Sequence, residues 1–210
     1  MEQCGVLPLF HGIAMHDCWA SYWSYEDCQH AVCCAHLLRE LTGIAENHPE
    51  QKWASAFIGL LLEMKKVKDK AVEAGKETLS YYHYHKFDKR YDELIKQARE
   101  ENPLPVTTEK KRGRKKKGKI LALVERLDNY KASVCLFIHN FMVPFDNNQA
   151  ERDLRMIKVK TKVSGCFRSE EGARDYLKIM SYVGTAHKQG HNAYDAIRKA
   201  ISGCPDFIFE

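Results

Sequence analysis

Glu151, Arg155 and Lys158 are spaced so that one carboxylate and two cations share a helical face. At 3.6 residues per turn the cations lie about +40° and about −20° around the axis from the glutamate. Such a set can close on itself as a solvated ion-paired stripe, or it can meet a charged ligand, and spacing alone favours the stripe. A second constellation is Cys33-x-x-His36, which offers two of the four ligands a structural zinc needs. His83 and His85, two apart, point to different helix faces, so a zinc centre is not expected. The third is the run EKKRGRKKKGK at 109–119, with eight basic residues against one acidic. A block of like charge is either a solvated tether or a contact for a polyanion such as nucleic acid.

The elements that must carry these residues follow from hydrophobic period and breakers. Gly12 to His16 is a short apolar run ending at Asp17, with Trp19, Tyr22 and Tyr25 at helical spacing behind it, which predicts strand, aspartate, helix. His30 to Cys34 is β-compatible, and Leu37, Leu38, Leu41 and Ile44 predict a helix running to the Asn47–Pro49 break. From Gln51, Trp53, Phe57, Leu60, Met64, Val67 and Ala71 recur at steps of four and three, an amphipathic helix. A further helix carries Leu79, Tyr82, Tyr91, Leu94 and Ala98 until Pro103 and Pro105 stop it. Helix resumes near Ile120 with an apolar stripe of Leu121, Val124, Leu127, Val134 and Ile138. Asp146 and Asn147 are good caps for a helix starting near Asn148. Ser164 to Ser169 reads as a turn, and two helices follow, the first with Ala173, Tyr176, Leu177, Met180 and Val183, the second with Tyr194, Ile197 and Ile201.

Composition bounds the function classes. The 210 residues are 44% hydrophobic and 29% charged, ordinary globular values that argue against a disordered, collagenous or coiled-coil chain. The net charge is 33 − 28 = +5, and since residues 109–119 contribute +7, the remainder sums to −2. No apolar run approaches the roughly 20 residues a bilayer requires, and no charged-then-apolar leader opens the chain. The eight cysteines lack paired CxxC spacing and fit a reduced, cytoplasmic compartment.

Three blocks, in this order, resemble the insertion sequence 66 family of bacterial transposases, DDE enzymes with a ribonuclease-H-like core. His16-Asp17-Cys18-Trp19 with Tyr22 looks like that family's Asp-Gly-Tyr block. Cys33-Cys34-Ala35-His36 with Arg39 is similar to its Cys-x-x-His-x-x-Arg block. PFDNNQAERDLR at 144–155, continued by KVSGCFRSEEGA at 162–173, is the most specific of the three.

The resemblance implies an α/β, mostly helical fold: a partial ribonuclease-H-like core of late strands and catalytic helix, with a large all-α insertion. Residues 1–49 would hold part of the core, 50–140 the helical insertion with its basic linker at 109–119, and 141–210 the carboxy-terminal core helices. Asp17 would be the second catalytic aspartate and Glu151 the catalytic glutamate, both holding Mg2+ or Mn2+ for strand cleavage and joining. Arg152, Arg155, Lys158, Lys160, Lys162 and Arg168 would line the phosphate path, and Arg112 and Arg114 would tether DNA. Cys33, His36 and Arg39 would position the end of the second strand.

The family's first aspartate has no counterpart in residues 1–16, whose single acid is Glu2, and Cys18 stands where the family block has glycine. The expectation is therefore a carboxy-terminal portion of a transposase that acts on transposon-end and target DNA. It would be cytoplasmic, nucleoid-associated, bacterial or archaeal, and inactive alone, with a homo-oligomer or a missing amino-terminal half as its protein partner. The alternative is a non-catalytic DNA-binding fragment that regulates or inhibits a full-length transposase.

Overall fold

Ile13–His16 (β1) and Gln29–Val32 (β2) run parallel, from Ile13↔Gln29 to His16↔Val32, in a computed structural model that describes residues 7–103 and 118–205. Parallel neighbours need a crossover of a dozen or so residues, and residues 17–28 supply it. The crossover differs from expectation: in place of an α-helix it holds a single 3-10 segment, Ala20–Ser24. The connection is too short to complete an α-helix and still return to the start of β2. The Ser24 hydroxyl also donates to Ser21 O at 2.8 Å, a local bond that favours the tighter turn.

Behind β2 come α1 (Cys34–Asn47), α2 (Lys52–Glu73) and α3 (Tyr81–Glu101). Their spacing is the one read from the sequence, because each must bury a stripe at steps of three and four. Trp53, Phe57, Leu60 and Met64 of α2 are fully buried against Leu37 and Leu41 of α1 and Phe87 and Tyr91 of α3. Leu79 is buried just ahead of α3, whereas Tyr82, counted in its stripe, is exposed. The Tyr91 hydroxyl donates to Leu127 O at 2.7 Å, and burial pushes its phenol well above its ordinary range.

The stripe expected as one helix from Ile120 to Ile138 is three segments: α4 (Lys119–Asn129), α5 (Lys131–Val134) and α6 (Leu136–His139). Breaks at Tyr130 and Cys135 let the chain turn while Leu123, Leu127, Val134, Phe137 and Ile138 all stay buried. Tyr130, at the first break, stacks on Trp23 of the crossover with ring centroids 3.8 Å apart. Behind α6, residues 140–145 are held by Lys68 of α2. This side chain is buried, donates to Val143 O at 2.5 Å, and lies 5.9 Å and 5.6 Å from the rings of Phe137 and Phe141.

The chain divides into two compact units, residues 1–147 and 148–210. The second contains α7 (Asn148–Ser164), α8 (Glu170–Lys188) and α9 (Ala193–Ile201). Gly165 ends α7 with φ +77°, a left-handed turn that glycine adopts without strain. Ser169 caps α8 by accepting from Gly172 N at 3.1 Å, and Asn192 caps α9 by accepting from Tyr194 N at 2.9 Å. Ala186 and Ala196 form the buried contact between α8 and α9, with Tyr182 donating to Ala196 O at 3.2 Å. Lys188 ties α8 to α7 through Asp153 at 2.5 Å. Among the described residues no helix is long and apolar enough to cross a membrane.

Candidate active site

In the first unit, Asp17 follows the last residue of β1 and is exposed. Its Oδ1 accepts from Trp19 N at 3.1 Å, which orients the carboxylate on the turn. Cys18 has φ +69°, the left-handed region where a residue with a Cβ gives up roughly 1–2 kcal/mol. The turn that a glycine would make is thus made by cysteine, whose side chain is buried and whose thiol burial pushes up.

A hydrogen-bonded chain holds that turn. Cys18 N donates to His16 Nδ1 at 3.1 Å, so this nitrogen carries no proton. His16 Nε2 then donates to His30 Nδ1 at 3.0 Å, and His30 Nε2 donates to Tyr25 O at 2.9 Å. Every link agrees with one tautomer, Nε2–H on both rings. His16 is buried, stacked on Tyr22 with centroids 4.5 Å apart and edge-on to Trp23. Burial, with His30 adding to it, lowers its pKa to about 4, while Asp17 acts in the opposite sense.

Cys33 and Cys34 lie at the end of β2, both fully buried. Cys34 N donates to Phe145 O at 3.1 Å, and Asn147 N donates to Cys33 Sγ at 3.2 Å. The Cys33-x-x-His36 block is therefore where the segment leading into α7 is fastened. His36 is half-buried in the first turn of α1, with its backbone N donating to Cys33 O at 3.2 Å. Arg39, a turn further on, is exposed and lines a hollow with Glu40, Asn47 and Lys119.

In the second unit, Glu151 occupies the first turn of α7, where the helix dipole favours a carboxylate. Arg152, Arg155, Lys158, Lys160 and Lys162 follow along the same helix, and Arg168 sits in the turn before α8; all are exposed. Lys160 lies nine residues after Glu151, about 180° around the axis. Its ammonium lies 5.1 Å from the Tyr176 ring and 5.9 Å from that of Phe167. Arg112 and Arg114 fall outside the described residues.

Asp17 and Glu151 belong to different units, and each is placed by its own. The histidine pair was missed in the sequence: nothing in the spacing of 16 and 30 marks a contact, which the parallel register alone creates by bringing Ala14 opposite His30.

Compared with known proteins, the chain matches the family model described as Transposase IS66 family over residues 2–175, a span that includes Asp17, Cys33, His36 and Glu151 and ends inside α8. No curated protein and no solved structure matches it.

Proposed function

The chain belongs to the IS66 transposase family, and from that premise we propose that it takes part in DNA strand cleavage and transfer by DDE chemistry, with Asp17 and Glu151 as two of the carboxylates. The observation that carries the reading is an exposed Asp17 at the end of a parallel strand, its carboxylate accepting from Trp19 N, in a chain whose family match also spans Glu151 in the first turn of a cationic helix. On this reading β1, β2 and α7 are the late strands and catalytic helix of a ribonuclease-H-like core.

Such families use divalent metal, and Mg2+ or Mn2+ takes hard oxygen ligands. Asp17 and Glu151 fit in kind. Among the described residues no group of three or more His, Cys, Asp or Glu side chains gathers to hold an ion, so the proposal leaves a further aspartate to a segment or chain beyond them. When bound, the metals would activate the attacking oxygen and stabilise the leaving one. The work of this chain's own groups is to present the two carboxylates and to neutralise DNA phosphates. Arg152, Arg155 and Arg168 offer bidentate contact and Lys158 and Lys162 point charges. Cys33, with the backbone of the Cys33-x-x-His36 block, positions the segment that enters α7.

The test is a cleavage and strand-transfer assay with Mg2+ or Mn2+ on element-end DNA. It is run with this chain alone and with a supplied amino-terminal half that carries the first aspartate. Activity in the mixture, lost in Glu151→Gln, is the expected result. Inactivity in both with DNA binding retained would overturn it in favour of the second reading, a non-catalytic fragment that occupies transposon ends and inhibits a full-length transposase. The exposed cations along α7 favour DNA binding under either reading.

A further inference from the structure

We propose that His30 is a positioning residue for Asp17: by accepting from His16 it sets the tautomer that holds the Asp17–Cys18 peptide, and with it the direction of the carboxylate. The inference rests on the reading above, in which Asp17 is a metal-holding group.

The argument runs along the chain of bonds from β2 to the turn. His30 Nε2 donates to Tyr25 O at 2.9 Å, and this bond obliges Nδ1 of the same ring to be the acceptor. That nitrogen faces His16 Nε2 at 3.0 Å, so the His16 proton resides on Nε2. His16 Nδ1 is left as a bare acceptor for Cys18 N at 3.1 Å. Were the His16 proton on Nδ1, it would confront the Cys18 N–H, two donors facing each other, and the turn would open.

The Cys18 N–H belongs to the peptide whose carbonyl is that of Asp17, so fixing it fixes the backbone from which the carboxylate projects. Cys18 needs the restraint because its φ of +69° is disfavoured for any residue with a Cβ. Trp19 N then donates to Asp17 Oδ1 at 3.1 Å and orients the carboxylate itself. The imidazoles cannot turn freely to find other partners: Tyr22 stacks on His16, and Trp23 packs on both rings, 4.9 Å and 4.7 Å between centroids. A histidine on the neighbouring strand thereby acts on a side chain it does not touch.

The test uses the full chain, ring-nitrogen NMR for tautomers, amide exchange at Cys18 and Trp19, and Mn2+ binding. Wild type is expected to show Nε2–H on both His16 and His30. His30→Leu removes the acceptor, and exchange at Cys18 and Trp19 is expected to rise at least tenfold while Gln29 and Cys33, whose amides donate to Gly12 O and His16 O, stay protected. His30→Asn places an amide oxygen where Nδ1 sat and should restore both amides to near the wild-type rate. A Nδ1–H tautomer on His16 in the wild type would overturn the proposal, as would unchanged Cys18 and Trp19 exchange in His30→Leu or failure of His30→Asn to restore it. Should His30→Leu lose β2 protection and unfold, the wild-type tautomers and His30→Asn still decide.

Mn2+ separates this inference from the function it rests on. Binding that is weakened in Asp17→Asn, weakened several-fold in His30→Leu and recovered in His30→Asn supports both. Binding indifferent to Asp17→Asn sinks the metal-holding role, while the exchange data go on to decide the positioning.

Discussion

Cys33 and Asn147, 114 residues apart in sequence, meet at 3.2 Å where the backbone N–H of Asn147 donates to the sulfur of Cys33. With Cys34 N donating to Phe145 O one residue further on, the end of β2 holds the segment that enters α7. These two bonds join the two ends of the run from α1 to α6.

Removing the sulfur should loosen that fastening. Cys33→Ala loses an acceptor for a half-buried N–H and some packing, an expected cost of about 1–2 kcal/mol. Cys33→Ser keeps an acceptor and should lose less. Urea denaturation of both variants measures this; equal stability of Ala and wild type would show that the Asn147 amide does not depend on the sulfur.

Lys68 is buried with no carboxylate at its ammonium among the described residues, and it donates instead to Val143 O between two aromatic rings. Desolvation lowers its pKa, with the neighbouring Asp69 acting in the opposite sense. Lys68→Ala, which deletes both the bond and the aliphatic stem, should cost about 2–4 kcal/mol. Lys68→Met keeps the stem and should cost roughly half as much. Chemical denaturation that ranks Met below Ala would contradict this account.

Stability should fall on mild acidification because of His16. The folded imidazole stays neutral down to about 4, whereas in the unfolded chain it titrates near 6.5. Above pH 7 both states are neutral and nothing changes. As pH drops through 6.5 the unfolded state takes the proton first and is favoured, and the loss levels off below 4 after about 3 kcal/mol at most. His30 and Asp17 face the group and act in opposite senses. Unfolding titrations in metal-free buffer between pH 7.5 and 4, with His16→Phe as reference, give the measurement. A pH slope unchanged in His16→Phe would assign the acid sensitivity to other groups.

The cations of α7 should not contribute equally to DNA affinity. Arg155 and Lys158 share the face of Glu151, so Arg155→Ala and Lys158→Ala should each lower the slope of log affinity against log salt by about 1. Lys160, over Tyr176 and Phe167, should matter much less. Fluorescence anisotropy across a salt series tests the ranking. Lys160→Ala weakening binding as strongly as Arg155→Ala would overturn it.

Much of the fold could be read from residue order. The three- and four-residue recurrence from Trp53 to Ala71 had one solution, a helix buried on that stripe, and it spans Lys52–Glu73. Asp146 and Asn147 before an uninterrupted run placed the start of α7 at Asn148, and the family blocks pointed to the IS66 transposases that the family match identifies. These are local signals, carried by period, capping and motif, and the sequence by itself determined them. Where local propensity competed with chain geometry, tertiary structure decided. Trp19, Tyr22 and Tyr25 had helical spacing, yet the crossover had to return to β2 within residues 17–28 and took a 3-10 turn. The stripe from Ile120 broke at Tyr130, where a ring stacks on Trp23. The His16–His30 pair and the Cys33–Asn147 bond belong wholly to this second class. Each joins residues that no period relates, and each exists because two strands pair in one register and one loop returns to their end.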